Sequence, residues 1–333
     1  MTYSSGGLIQ ATDYNTFAGN TTAGLNYVWS TGTGDAGWGQ TDIATVTAGT
    51  NTVTATQWAT IVNNLSTAGT QTSTTITSRT APVTGNIIGI LANVQTDITS
   101  VTTARGNAAA SGTEYGTFTG TTSKTTATGT GQAAWTITFT HTVTFPSANQ
   151  ARYFWNAGGI VRIKYGKSST GTDSDPDWNT FAGQCGSINI TGRVNSNSQT
   201  IAAQAYTGTT RLGGTGGTQT TLTTTTGWYN LTGVATTIFQ LNNATSPYSG
   251  EYIRTTATQT SSTVLTLVTT WVSDGSSGAG TTADISGGTA VTSPATSIGA
   301  ATAPTTLVTY LPPSTAQGLS ASWGTPTIAA SVA

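Results

Sequence analysis

Charge is what this sequence has least of. Of its 333 residues, 6% are Asp, Glu, Lys or Arg, about a quarter of the share in an ordinary soluble domain. Ten basic and eleven acidic residues give a formal net charge of -1. No basic stripe can form to neutralise phosphates, so nucleic-acid binding is disfavoured. Little self-repulsion remains either, and a free monomer would be poorly soluble unless neighbours engage its surface. Chemistry-bearing residues are as scarce: one His, one Cys, and two Glu at Glu114 and Glu251. The lone Cys185 excludes an internal disulfide framework. After Met1, "TYSSGGLIQATD" offers neither a basic n-region nor an apolar h-region, and nowhere do about 18 apolar residues run together. Neither a signal peptide nor a membrane span is expected, so the protein would be made in a cytoplasm and, if it ends up outside a cell, would leave by lysis or within a particle.

Thr, Gly, Ser and Ala fill the space that charge leaves. Such a composition could mean disorder, but disordered chains lack aromatics, and this one has nine Trp and eleven Tyr. The chain should fold. From Met1 to about residue 110 the pattern is mixed. In "TATQWATIVNNL", Trp58, Ile61, Val62 and Leu65 form one helical stripe, with Thr54 or Thr56 as N-cap. In "NIIGILANVQTDITSVTTAR", Ile87, Leu91, Val94, Ile98 and Val101 are spaced 4, 3, 4, 3, a heptad seam of two turns of the repeat. An amphipathic helix packed on its own domain explains the same spacing equally well. As a seam, its β-branched positions favour three strands, so a homotrimer is the first expectation.

After residue 110 the period changes. "WTITFTHTVTF" alternates Trp135, Ile137, Phe139, His141, Val143 and Phe145 against five threonines, a strand with one face buried and one wet. Further strands are expected at "IVRIKY", "GSINITG", "GWYNLTGVATTIFQL", "GEYIRTTATQ", "STVLTLVTTWVSD" and "TTLVTYL", separated by Gly, Asn, Ser and Pro clusters. The strand holding Val264, Leu265, Leu267 and Val268 is apolar on both faces and should be central; the tail should dock on a neighbour or add an edge strand. The fold class is therefore mainly β: a mixed region with short helices and a short heptad segment over 1–110, then an antiparallel β-sandwich over 111–333.

Catalysis is not expected. His141 lies on the apolar face of a strand, where a hydrogen-bonded core imidazole is the simpler reading, and Cys185 reads as a small buried hydrophobe. No nucleophile elbow accompanies them. Among the acids no spacing singles out a glycosidase pair, so a carbohydrate-active enzyme stays a minor alternative. In "DSDPDW", Asp173, Asp175 and Asp177 alternate like the opening of a calcium loop but lack its Gly and distal Glu. A turn ending in a helix cap at Asp177 is preferred. "GGTGG" at 213–217 lacks a phosphate-loop Lys and reads as a flexible loop. No catalytic, cofactor or metal residue is assigned. The octapeptides "DYNTFAGN" (13–20) and "DWNTFAGQ" (177–184) read as one local solution used twice. In each, Asp caps a short helix, an aromatic and Phe share a face, and Gly supplies a left-handed stop.

At "LIQATDYNTFAG", "VTATQWATIVNNL", "FTHTVTFPSANQARYFWNAGGIVRI" and "DWNTFAGQ" the sequence resembles the Thr/Gly-rich virion structural and tail-fibre-like proteins of tailed bacteriophages, especially marine and cyanobacterial ones. That resemblance implies a homo-oligomeric particle component, with an N-terminal attachment region and β-rich domains that project or seal. Its partners would be copies of itself, other virion proteins and host-surface glycans. A tail fibre or appendage is the leading expectation, and a capsid decoration or head fibre the runner-up.

Overall fold

A computed structural model describes residues 11–47, 49, 53–85, 93–108, 121–123, 135–167, 174–192, 199–201, 204–244, 249–273 and 304–333. Among its described residues the N-terminal region holds four α-helices: α1 (Ala11–Ala18), α2 (Asn26–Trp29), α3 (Ala55–Gln71) and α4 (Val94–Ala104). Thr54 starts α3 through a capping box: Gln57 N–H donates to its Oγ1 at 3.3 Å, and Thr54 N–H donates to Gln57 Oε1 at 2.8 Å. Two of the orphan amides at a helix start are satisfied that way. The expected stripe of Trp58, Ile61, Val62 and Leu65 is buried. Tyr14 and Phe17 of α1 meet the Trp58 ring edge-on, at 5.5 and 5.9 Å between centroids. α4 turns Val94, Ile98 and Val101 into this same core, each 1% exposed or less. On these three residues the structure shows the amphipathic helix packed within its own chain; Ile87 and Leu91 lie outside the described residues.

The β region is built from β1 (Thr121–Ser123), β2 (Trp135–Thr144), β3 (Ile160–Gly166), β4 (Ser187–Ile190), β5 (Gln199–Ile201), β6 (Gln204–Tyr206), β7 (Thr209–Leu212), β8 (Thr218–Leu222), β9 (Thr236–Asn242), β10 (Tyr252–Ser261), β11 (Val264–Ser273), β12 (Thr305–Leu311) and β13 (Thr327–Val332). One sheet runs β1-β12-β3-β4-β7, the other β13-β2-β11-β10-β9-β8, and every neighbouring pair is antiparallel. β5 and β6 form a separate hairpin. β11 is central and β13 is an edge strand, both as expected. The sheets face each other: Tyr165 on β3 hydrogen-bonds Thr255 on β10 at 2.7 Å, and Trp271 Nε1 on β11 donates to Thr306 Oγ1 on β12 at 3.3 Å.

Two helices close the sandwich. α5 (Ala148–Asn156) follows Pro146 and is capped by Ser147; no helix was expected between these strands. It brings Phe154 and Trp155 against Phe145, Trp228 and Tyr310. α6 (Ser174–Cys185) packs on β3 and stacks Trp178 on Trp271 at 5.8 Å. The helical region docks on the α5 end. Asn156 is the hub there: its Nδ2 donates to the carbonyls of Ala36 (2.8 Å) and Gly37 (3.2 Å), its Oδ1 accepts from Tyr229 (2.6 Å), and its own carbonyl accepts from Trp38 Nε1 (3.0 Å). One buried apolar cluster runs through both regions. The expected boundary near residue 110 lies outside the described residues.

The repeated octapeptide needs correction in two of its three parts. The shared face holds, since Tyr14 and Phe17 are buried in one copy and Trp178 and Phe181 in the other. The Asp residues are not caps, because Asp13 is the third residue of α1 and Asp177 the fourth of α6. Pro176 explains the earlier start of α6, since a first turn has no need of the N–H that Pro lacks. Nor are Gly19 and Gly183 left-handed; the stop after α6 is Gly186, at φ 66°. A Cβ on Gly186 would come within 2.4 Å of the Leu212 carbonyl oxygen. Loop 213–217 carries β7 of one sheet into β8 of the other with four left-handed glycines. It is a close crossing, in which a Cβ on Gly214 would lie 2.2 Å from the Gln184 carbonyl oxygen.

Candidate functional site

One broad surface among the described residues is the outer face of the six-stranded sheet. Strand pleat sends alternate residues outward, and register lines them up across strands. Thr138, Thr270, Arg254, Gln240 and Thr221 form one such row from β2 to β8. Ser331, Thr140, Val268 and Thr256 form another, and Ala329, Thr142, Thr266 and Thr258 a third. Among the residues in these rows Arg254 carries the only charge, and its guanidinium lies over the Tyr252 ring at 5.5 Å. Threonine suits this role because its branched Cβ fits the pleat while its hydroxyl meets water. The face offers donors, acceptors and methyl groups with almost no field. It can meet another neutral surface without stripping charges of water.

The single-copy residues lie elsewhere. His141 is 0% exposed, on β2 between Leu267 and Ala330. Cys185 ends α6 at 0% exposure. Burial pushes its thiol well above the ordinary range, and Arg211 opposes the shift only in part. Burial likewise holds the Tyr165 hydroxyl far above its usual value. All eight tryptophans with described side chains are buried, including Trp38, Trp155, Trp178, Trp228 and Trp323. Trp135 is the ninth, and its side chain is not among those described. Asn189 and Asn243, each the first residue of an Asn-x-Thr triplet, are 0% and 2% exposed. Of the acidic run, Asp173 lies outside the described residues, and Asp175 and Asp177 fall in the first turn of α6. Among the described residues no three His, Cys, Asp or Glu gather as metal ligands, and no helix is long and apolar enough to cross a membrane.

Sequence reading missed one buried polar row. Asn243 follows β9, Glu251 precedes β10 and Ser273 ends β11, and all three are at most 3% exposed. Asn243 Nδ2 donates to Glu251 Oε2 at 3.1 Å, and Ser273 Oγ donates to Glu251 Oε1 at 3.3 Å. Its signal is faint: each residue continues the buried phase of its strand by one more step, as Leu241 to Asn243, Ile253 to Glu251 and Trp271 to Ser273.

Comparison of the chain with known protein families, curated proteins and solved structures finds no match in any of the three.

Proposed function

We propose that the protein is a non-enzymatic structural component of a tailed-phage particle, a tail fibre or tail appendage in which several copies present their β-sandwiches together. The observation that carries this reading is the neutral threonine face, which suits contact with other neutral surfaces and resists dispersal as a free monomer. The resemblance in the sequence motifs supports the same reading. Multivalent display would turn weak contacts with a host-surface glycan into useful avidity. With the described tryptophans in the core, such contacts would fall to hydroxyls and amides. Val94, Ile98 and Val101 lie inside the chain, so a trimer would need a contact other than that half of the seam.

Light scattering on the purified chain should report a homo-oligomer, and a stable monomer at micromolar concentration would count against the reading. Thr140→Lys with Thr142→Lys should lower the oligomer number and leave the far-UV spectrum unchanged. Gold labelling of the parent particle should mark the tail. Label on the head would select a capsid decoration instead, and release of reducing ends from a polysaccharide would replace the reading with an enzyme.

A further inference from the structure

A lysine is buried one step past the end of β3. Burial alternates along β3, with Val161, Ile163 and Tyr165 buried and Arg162 and Lys164 half-buried, and it continues one step past the strand to Lys167, only 6% exposed. Lys167 therefore occupies the next inward position after Tyr165. Direction follows from the partners. β3 pairs Val161 with Tyr310, beside Phe154 and Phe145 at the end where β2 finishes. Tyr165 then reaches Thr255 and the Trp271 ring. The next step along the strand, about 7 Å further, leads towards the end where β10 begins and β11 finishes. That end carries Asn243, Glu251 and Ser273 on the opposing sheet.

We propose that Lys167 and Asn243 are the two ends of an intramolecular isopeptide bond that ties the sheets together, with Glu251 as the acid–base group that makes it. The amine Nζ attacks Asn243 Cγ, and Glu251, already bonded to Nδ2, passes the proton released by the amine to that nitrogen. The Cγ–Nδ2 bond breaks, ammonia leaves, and the new Nζ–Cγ amide remains. Atoms and electrons balance without an oxidant. Enclosure favours the uncharged forms of amines and carboxylic acids in general, the state in which an amine is nucleophilic. Ser273 holds the other carboxyl oxygen and is a positioning residue. The bond would give a chain with one cysteine a covalent staple that forms in a reducing cytoplasm. This inference does not rest on the virion reading.

Intact mass of the denatured full chain tests it first. The expected value is one ammonia below the sequence mass, with peptide mapping recovering Lys167 and Asn243 in a single branched peptide. Lys167→Arg and Glu251→Gln should both restore the full sequence mass. Full mass in the native chain, with the two residues in separate linear peptides, overturns the proposal regardless of how any variant folds. Loss of ammonia confined to a linear Asn243 peptide, the product of succinimide formation, overturns it too. Loss of water with Lys167 joined to Glu251 overturns the assignment to Asn243.

Discussion

The helical region and the sandwich handle the shortage of charge differently. In the helical region charges meet charges: Arg79 and Asp97 pair at 2.5 Å with side chains 5% and 8% exposed, and Arg105 pairs with Asp35 at 2.8 Å. Asp97 also accepts the Thr77 amide, fastening an irregular segment to α4. In the sandwich, three arginines are held by carbonyls, an amide and a ring. Arg211 donates to the carbonyls of Cys185 and Gln184, Arg162 to Asn189 Oδ1, and Arg254 covers Tyr252. The difference follows from the elements. Short helices joined by irregular chain leave gaps that a specific pair can bridge, whereas a sheet supplies its own backbone partners and leaves a guanidinium to clamp loop carbonyls.

The aromatic cores differ in the same sense, and breaking them should give the largest effects. Trp58 meets two rings from one short helix, while Trp271 touches Phe139, Tyr165 and Trp178 and bonds Thr306 across the sandwich. Trp271→Ala is expected to cost about 3–5 kcal/mol and to lower the whole unfolding transition, because both regions share one buried cluster. Trp58→Ala should cost an amount in the same range of about 3–5 kcal/mol. Denaturation followed by fluorescence and by far-UV signal checks this. If Trp58→Ala split off an early helical transition while the sandwich stayed unchanged, the two regions would be independent units.

The junction between the regions should give the next effect. Asn156→Leu keeps the volume but abandons the carbonyls of Ala36 and Gly37 and the Tyr229 hydroxyl. Each buried polar group left without its partner costs about 1–3 kcal/mol, and the loop at 34–40 should become the first site of proteolysis. Tyr229→Phe alone should cost less, and the double variant should cost less than the sum, since both act on one bond. Strict additivity would remove Asn156 from the role of hub.

How much of this was legible in the sequence depends on what each pattern reports. Alternation in β2 and the stripe in α3 fix which side of an element is buried, and both hold in the structure. Periodicity does not name the neighbour. Val94, Ile98 and Val101 read equally as a seam between chains or a face within one, and only the packing of α4 on α1, α2 and α3 separates the two. α5 was missed because "ARYFWN" carries aromatics whose helical face becomes visible only with the sandwich end beside it. Backbone handedness was also out of reach: Gly183 and Gly186 are both glycines near a helix end, and the close Leu212 carbonyl distinguishes the second. The row of Asn243, Glu251 and Ser273 needs the cross-strand register that places three distant residues side by side.

A smaller effect separates the regions by pH. Cys185 and Tyr165 both lie in the sandwich core with ionisation pushed up by burial, whereas Tyr14 of the helical region is raised by burial without reaching that extent. An unfolded thiol releases its proton near pH 9.0, while the folded chain keeps it. Above that pH the unfolded state binds fewer protons, so stability falls as pH rises, by up to about 1.4 kcal/mol per pH unit for one group. Tyr165 should steepen the fall above its ordinary value of 10.0. Cys185→Ala is less stable than the parent at neutral pH because it loses packing, but it lacks the thiol contribution to the alkaline fall. Urea denaturation at pH 7, 8.5 and 10 should therefore show the gap between parent and variant narrowing as pH rises. A constant gap would mean that the thiol ionises without unfolding the sandwich, and that α6 opens on its own.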